Sequence, residues 1–412
     1  MNYKKQLEWQ DPVEIAAKFA DKKCMAFLHS GLKTNFSGNK SLLAVYPNKF
    51  LIPDSFEDLN KLEQDYYFGF IEYEFPETNF NTIFYSFHVV LIFDHETKTI
   101  ELNASDEEHY NNFIKRLKVD IEPPKNSKIF RIFSHFKKDE YLKCVDIIRN
   151  NIIDGEVYQA NFTNKFYGRF DSLNAFDLYK KLLTASPSVY SCYIKFDDKY
   201  VISSSPEQFV KMDKDGNCET RPIKGTARRS NDPSEDDRIK EILAGCEKNR
   251  AENLMITDLM RNDFNRVCDA GSVLVPKLFE ISTYSHLHHM SSTIIGKLAS
   301  DDRFKLLSCS FPPGSMTGAP KLAAISILKD IEMIPRGIYS GIIGYFAPDK
   351  SFEFSVAIRT LLINEGNFEF QVGGGITIDS AANDEFEEMI TKSLGIIKAL
   401  GITEEEIRKV VG

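Results

Sequence analysis

No two of the seven cysteines form a CxxC pair. Cys24, Cys144, Cys192, Cys218, Cys246, Cys268 and Cys309 are scattered singly, so neither a disulfide framework nor a thiolate zinc site is expected. No motif around any of them would activate a nucleophilic thiol, and they read as reduced core or surface residues. Long apolar runs are missing too. The N-terminal stretch MNYKKQLEWQDPVE has lysines but no apolar segment behind them, and no later run is long enough to span a bilayer. Positive charge is in short supply: 51 Lys+Arg against 60 Asp+Glu leave a net charge of -9, with both signs mixed along the chain. That excludes the basic stripe a phosphate backbone requires. Repeats and low-complexity segments are absent. The expectation is a soluble globular protein in the cytoplasm, with no nucleic-acid and no membrane partner.

What is present is a chain of 412 residues, 42% hydrophobic, long enough for two domains or one large interleaved unit. The Pro- and Lys-rich stretch Glu122-Pro123-Pro124-Lys125-Asn126-Ser127 is the best boundary. It separates an N-terminal region, 1–126, from a larger unit, 127–412. Short apolar runs in the first part, CMAFLHSG (24–31), SLLAVYP (41–47) and HVVLIFD (88–94), read as strands between turns. In the second part Glu140 to Ile153 has helical spacing, and EVYQANFTNKFYG then alternates as a strand. Alternation puts Tyr158, Ala160 and Phe162 on one face and Gln159, Asn161 and Thr163 on the other, so one side can pack while the other lines a wet cavity. FEFSVAIRTLLI (352–363) and FEFQVGGGITI (368–377) read as a hairpin, and Asp384 to Leu400 as a closing helix. Strands and helices cluster without strict βα alternation, which favours an α+β fold.

Several residues suggest chemistry, each with a plainer alternative. In ENLMITDLMRND (252–263) Glu252 projects in line with Met255, Ile256 and Leu259. A carboxylate on an apolar face must be neutralised, paired with a cation or bound to a metal; a salt bridge to a nearby arginine would also serve. Glu385, Glu388 and Lys392 share a helix face with Gly395 and Ala399, as a metal site or as a solvated E-x-x-x-K face. Carboxylates without histidine suit a hard cation such as Mg²⁺. Gly373-Gly374-Gly375 weaken a strand unless its backbone must approach a ligand closely. Arg359 alternates away from Phe354, Val356 and Ile358, toward a planar carboxylate or toward solvent. FPPGSMTGAPK (311–321) offers hydroxyls and amides near a helix start, but Ala319-Pro320-Lys321 stands where a Walker motif needs Gly-Lys-Ser/Thr, so a nucleotide triphosphate is disfavoured. Lys224, in RPIKGTARR (221–229), sits in a short turn-like segment where a partly desolvated amine can act as nucleophile; an isolated lysine is usually just exposed.

In this order, the strings IxxGEVYQANFT, SSSPEQF, RPIKGT, AENLMITDLMRND, HHMSS, FPPGSMTGAPK, RGIYSGIIGYF, FSVAIRT, GGGITIDS and EFEEMITK resemble the chorismate-binding superfamily of anthranilate, aminodeoxychorismate, isochorismate and salicylate synthases. The resemblance covers 127–412; residues 1–126 match only loosely, at FLHSG and AVYP. It implies a large two-lobed, interleaved fold of mostly antiparallel sheets flanked by helices, with 1–126 as a candidate regulatory region interleaved with the core. It implies that Glu252 and Glu388 hold Mg²⁺ over the ring carboxylate of chorismate, with Glu385 behind them. Arg359, Tyr339, Thr317 and the amides of Gly373, Gly374 and Gly375 would bind substrate carboxylates, with Gly225, Thr226 and Lys392 alongside. Glu207 of SSSPE would protonate the departing C4 hydroxyl, and His289 would lie near the reacting ring. Gln159 stands where water-using members have a lysine base, so ammonia is the implied nucleophile. Lys224 of PIKGT matches the aminodeoxychorismate synthase branch, against alanine in typical anthranilate synthases, and implies a covalent lysine intermediate. With no glutaminase pattern in the chain, a separate glutamine amidotransferase subunit is implied as the ammonia source. Anthranilate formation and a non-catalytic chorismate- or amino-acid-binding protein are the alternatives.

Overall fold

The period-2 pattern of the strands has an unusual consequence, because alternate residues enter different apolar cores. Met25 and Phe27 of the strand Cys24–His29 join one cluster and Cys24 and Ala26 another; Leu43 and Val45 of Lys40–Leu51 likewise part from Leu42 and Ala44. A strand buried on both faces must have a layer on each side. The computed structural model describes residues 3–32, 39–78, 81–120, 127–284 and 287–412, so Glu122 to Asn126 of the expected boundary lie outside the described residues. Among these, twenty strands, each antiparallel to its neighbours, form one branched sheet that does not close.

The branch point is the long strand Ile83–Asp94. One edge pairs with Lys40–Leu51; the other is shared between Tyr67–Ile71 and Thr99–Ala104. From Lys40–Leu51 one arm runs through Cys24–His29, Tyr190–Phe196, Lys199–Ser205, Thr360–Asn364 and Asn367–Ile376 to Gln159–Ser172 and Lys128–Ser134. From Tyr67–Ile71 the other arm runs through Ile342–Phe346, Phe352–Val356, Gln208–Met212 and Asn217–Arg221 to Leu287–Lys297, which also holds Ile223–Arg228 and Leu274–Thr283. Strands of the first 126 residues thus pair on both sides with strands from later in the chain. The facing surfaces of the arms share an apolar cluster that includes Phe68, Phe87, Ile194 and Ile343. Helices Lys138–Ile153, Ala175–Ala185, Lys321–Glu332 and Ala382–Ala399 cover the first arm, and Glu247–Asn265 packs on the second.

The structure differs from the sequence reading in four places. The run 352–363 is not one strand: Phe352–Val356 belongs to one arm and Thr360–Asn364 to the other, and the chain crosses between them at Ala357, Ile358 and Arg359. Tyr158 precedes the strand Gln159–Ser172 and is 72% exposed, so it shares no buried face with Ala160 and Phe162. Lys224 lies in a strand, Ile223–Arg228, rather than in a turn. Beyond Ala382–Ala399 the chain forms a further helix, Glu404–Val411, opened by a capping box of Thr403 and Glu406. Among the described residues no helix is long and apolar enough to cross a membrane.

Candidate active site

A cavity of about 1290 Å³ lies where the arms and the helices Glu247–Asn265 and Ala382–Ala399 converge. Lys224 reaches it because its strand bulges: Ile223 pairs with Ser291 but Thr226 with His289, so one residue is extra. A bulge re-aims side chains, and Gly225 at φ +89° takes the left-handed conformation that a glycine adopts without cost. The Lys224 amine ends 3.7 Å from Glu252 Oε2, with both side chains about nine-tenths buried. On its other side is the glycine run. A Cβ on Gly375 would lie 3.2 Å from Lys224 Nζ and 1.9 Å from Gln159 Nε2, so only glycine leaves room for both. Gln159 is buried beside Gly375 behind the cavity wall, and its Oε1 has no hydrogen-bond partner among the described residues.

The carboxylates expected at the metal site come together with three ammonium groups. Glu388 meets Lys392 at 2.6 Å, and Lys392 also donates to the Gly373 carbonyl at 3.0 Å. The Lys392 ammonium holds Glu388 below the ordinary carboxylate range. Glu385, buried behind, accepts from Ser380 Oγ at 2.6 Å and meets Lys248 at 3.2 Å. Burial opposes the charge on Lys248, but Glu385, Glu252 and Glu388 outweigh it and raise its pKa. Gly374 supplies the floor: a Cβ there would lie 3.2 Å from Glu385 Oε2 and 3.4 Å from Glu388 Oε1. The three carboxylates do not meet at one point. Among the described residues, the trio of possible ligands with donor atoms within 4.8 Å of one another is His88, Asp106 and His109, far along the chain from this cluster. An oxygen-only donor set over a glycine floor still fits a hard cation that takes few carboxylates and keeps waters.

Across the cavity are the groups expected to act on the substrate. Glu207 is 5% exposed, and burial pushes its pKa from 4.5 to about 7 against the hydrogen bond of Ser315 and the nearby Lys224 ammonium. A carboxyl that keeps its proton to neutral pH is suited to general-acid work. His289 accepts or donates at Nδ1 to Thr226 Oγ1 at 2.8 Å. Burial, helped by the Arg359 cation, lowers its pKa to about 3, so it is a neutral imidazole. Arg359 lies at the crossing between arms with φ +50°, a strained conformation for a non-glycine residue. Its Nη1 reaches Ser186 Oγ at 3.4 Å, and burial disfavours its charge. Ser186 comes this close because Gly395 has no side chain; a Cβ there would lie 2.8 Å from Ser186 Cβ. An arginine without a carboxylate among the described residues awaits an anion. Tyr339 lines the same wall, its pKa raised by burial.

Thr317 is placed differently. Its hydroxyl donates to the Pro313 and Gly314 carbonyls, its side chain is fully buried, and Ser315 rather than Thr317 stands at the cavity wall. Among the wall residues to which the sequence reading gave no role are Lys248, Ser315 and Asn161. Lys248 was within reach, being one helical turn before Glu252 on the same face. Ser315 gave no separate signal inside FPPGSMTGAPK. Asn161 was placed on the polar face of its strand but assigned no role; its buried side chain lies beside the Tyr339 hydroxyl. Arg336, also unforeseen, clamps this wall from behind by donating to the carbonyls of Asn161 (2.6 Å) and Met316 (2.7 Å) and to Glu332 (2.7 Å).

An unpaired arginine and a proton-bearing carboxyl facing a carboxylate–ammonium cluster define a site for a small, oxygen-rich anion. Comparison with known proteins gives that class its family. The pattern of chorismate binding enzymes matches residues 9–398, and the chain belongs to this family. It is 44% identical to the aminodeoxychorismate synthase of Streptomyces pristinaespiralis over 263 residues, which are 63% of this chain and 36% of that one. It is 39% identical to anthranilate synthase component 1 of Aquifex aeolicus over 273 residues, 66% of this chain and 55% of the relative. The matched part thus spans between a third and just over half of these relatives. The fold is that of the menaquinone-specific isochorismate synthase from Escherichia coli, at TM-score 0.81 and 17% identity over 97% of this chain and 94% of that one. Anthranilate synthase component I from Streptococcus pneumoniae gives TM-score 0.79 at 24% identity, over 87% and 92%.

Proposed function

We propose that the chain converts chorismate and ammonia to 4-amino-4-deoxychorismate, with Lys224 as covalent nucleophile. The observation that carries this reading is the Lys224 amine itself, aimed by a β-bulge into the cavity between Glu252 and Gly375 and close enough to Glu207 for their charges to interact. Lys224 first releases its ammonium proton to solvent; the free amine then attacks C2, the ring double bonds shift, and the C4 hydroxyl leaves as water with the Glu207 proton. Ammonia then adds at C4 and gives up a proton, the double bonds return, and the C2–nitrogen bond breaks with its electron pair going back to Lys224. Splitting one hard displacement into two is what a covalent amine supplies.

The remaining residues bind and orient. Arg359, Tyr339 and the amides of Gly373 to Gly375 take the substrate carboxylates, and neutral His289 stands beside the ring without adding charge. Glu252 and Glu388 would hold Mg²⁺, with Glu385 behind. Held there, the ion would supply positive charge for the substrate carboxylate without proton transfer. Gln159 provides no base for water, which favours ammonia, delivered by a separate glutamine amidotransferase; a lyase acting on the product would release 4-aminobenzoate for folate synthesis. Identity to an aminodeoxychorismate synthase supports the reading, and the comparable identity to an anthranilate synthase component supports a rival one. Incubation with chorismate, Mg²⁺ and ammonium separates them by product: anthranilate is fluorescent, whereas 4-amino-4-deoxychorismate is identified by mass and by lyase treatment. A fluorescent product would sink the first reading.

A further inference from the structure

Two thiols that the sequence scatters singly meet in the fold. Cys218 lies in Asn217–Arg221, directly opposite Gly296 of Leu287–Lys297. Opposed residues of an antiparallel pair point to the same face, with Cβ atoms about 4.5–5.5 Å apart. Gly296 offers no side chain, and Cys268 takes the space: its Sγ lies 2.8 Å from where a Gly296 Cβ would be. The Cys268 sulfur therefore occupies the position of a cross-strand neighbour to Cys218, whose own thiol donates to the Gly216 carbonyl at 3.4 Å. The backbone holds this arrangement. Cys268 bridges Leu298, its N–H donates to Phe264 at 2.9 Å, and the Leu298 N–H donates to Gly216 at 2.9 Å. Both sulfurs belong to one apolar cluster, with Cys218 2% and Cys268 8% exposed.

We propose that Cys218 and Cys268 form a dithiol site that a two-electron oxidant such as hydrogen peroxide closes to an intramolecular disulfide. Cys268 is the more accessible of the two, so it meets the oxidant first. Its sulfur attacks peroxide, the O–O bond breaks, and a sulfenic acid forms as hydroxide leaves and takes up a proton. The Cys218 sulfur then attacks that sulfur; the S–S bond forms, the S–O bond breaks, and hydroxide departs with the Cys218 proton as a second water. Two thiols lose two electrons and one peroxide gains them. The link joins the segment just after the helix Glu247–Asn265, which carries Lys248 and Glu252, to the strand that runs on to Lys224.

The test uses the full wild-type chain, so a misfolded variant cannot spoil it. After peroxide treatment, acid quench, denaturation and maleimide labelling, reactive thiols are expected to fall from seven by two and to return on reduction with dithiothreitol. Peptide mapping is expected to recover fragments joined through Cys218 and Cys268. The C268S variant, treated in the same way, is expected to keep all its remaining thiols. Seven labelled thiols after oxidation, or a disulfide joining any other pair or two chains, would overturn the proposal.

Discussion

Replacing Glu207 with glutamine removes a titrating group while keeping its shape, and the consequences can be worked from the site. In the unfolded chain this carboxyl ionises near 4.5; in the folded chain burial moves that to about 7. Between those values the folded state holds a proton the unfolded state has released, so stability falls as pH rises through the window and the loss is complete above about 7. At about 1.4 kcal/mol per tenfold change, the total is about 3 kcal/mol. Glutamine does not titrate, so the Glu207→Gln protein lacks this fall. Urea unfolding of both proteins across 4.5 to about 7 is expected to show their stability difference changing by that amount, in favour of the variant at the upper end. The same proton governs chemistry. Wild-type turnover is expected to drop as pH rises past about 7, and the variant to lose roughly 10²–10⁴-fold below that pH, with the gap narrowing above it. Parallel stability profiles for the two proteins would refute the argument, since they would mean that the Glu207 carboxyl ionises alike in folded and unfolded chains.

The glycine run gives a paired prediction. A Cβ at Gly373 would lie 2.0 Å from the Phe162 carbonyl oxygen, which cannot move without breaking the strand pair, so Gly373→Ala is expected to yield little folded protein in a thermal melt. At Gly375 the obstacle, 1.9 Å away, is the flexible end of Gln159; Gly375→Ala is expected to fold at a cost of about 1–3 kcal/mol and to lose more than tenfold in turnover. Equal melting of the two variants would contradict this. Lys248→Ala removes a cation 3.2 Å from Glu385 and is expected to tighten Mn²⁺ binding, measured by calorimetry, on the order of tenfold. Weaker binding in the variant would show that Lys248 organises the carboxylates rather than competing for them.

Much of the site was legible because its residues sit in elements with a clear period. Strand alternation put Gln159 and Asn161 on one face, and helical projection put Glu252 among apolar neighbours and aligned Glu385, Glu388 and Lys392. What was not legible depends on partners. The alternation through 352–363 is continuous, yet the chain changes sheet arms at Ala357 to Arg359, and no periodicity records a change of neighbour. The bulge at Lys224 and Gly225 needs the opposing strand to be recognised. Within FPPGSMTGAPK a tight turn decides that Ser315 faces the cavity and Thr317 the interior, which composition cannot distinguish. Cys218 and Cys268 meet only because Gly296 vacates the space between them.

The most direct test of Lys224 omits the second nucleophile. The chain is incubated with chorismate and Mg²⁺ without ammonia, quenched in acid, and its peptides are weighed. The peptide containing Lys224 is expected to gain the mass of one chorismate less one water, and ammonium added before the quench to discharge it as 4-amino-4-deoxychorismate. Undiminished formation of that product by Lys224→Ala, with no adduct on the wild-type peptide, would contradict the account.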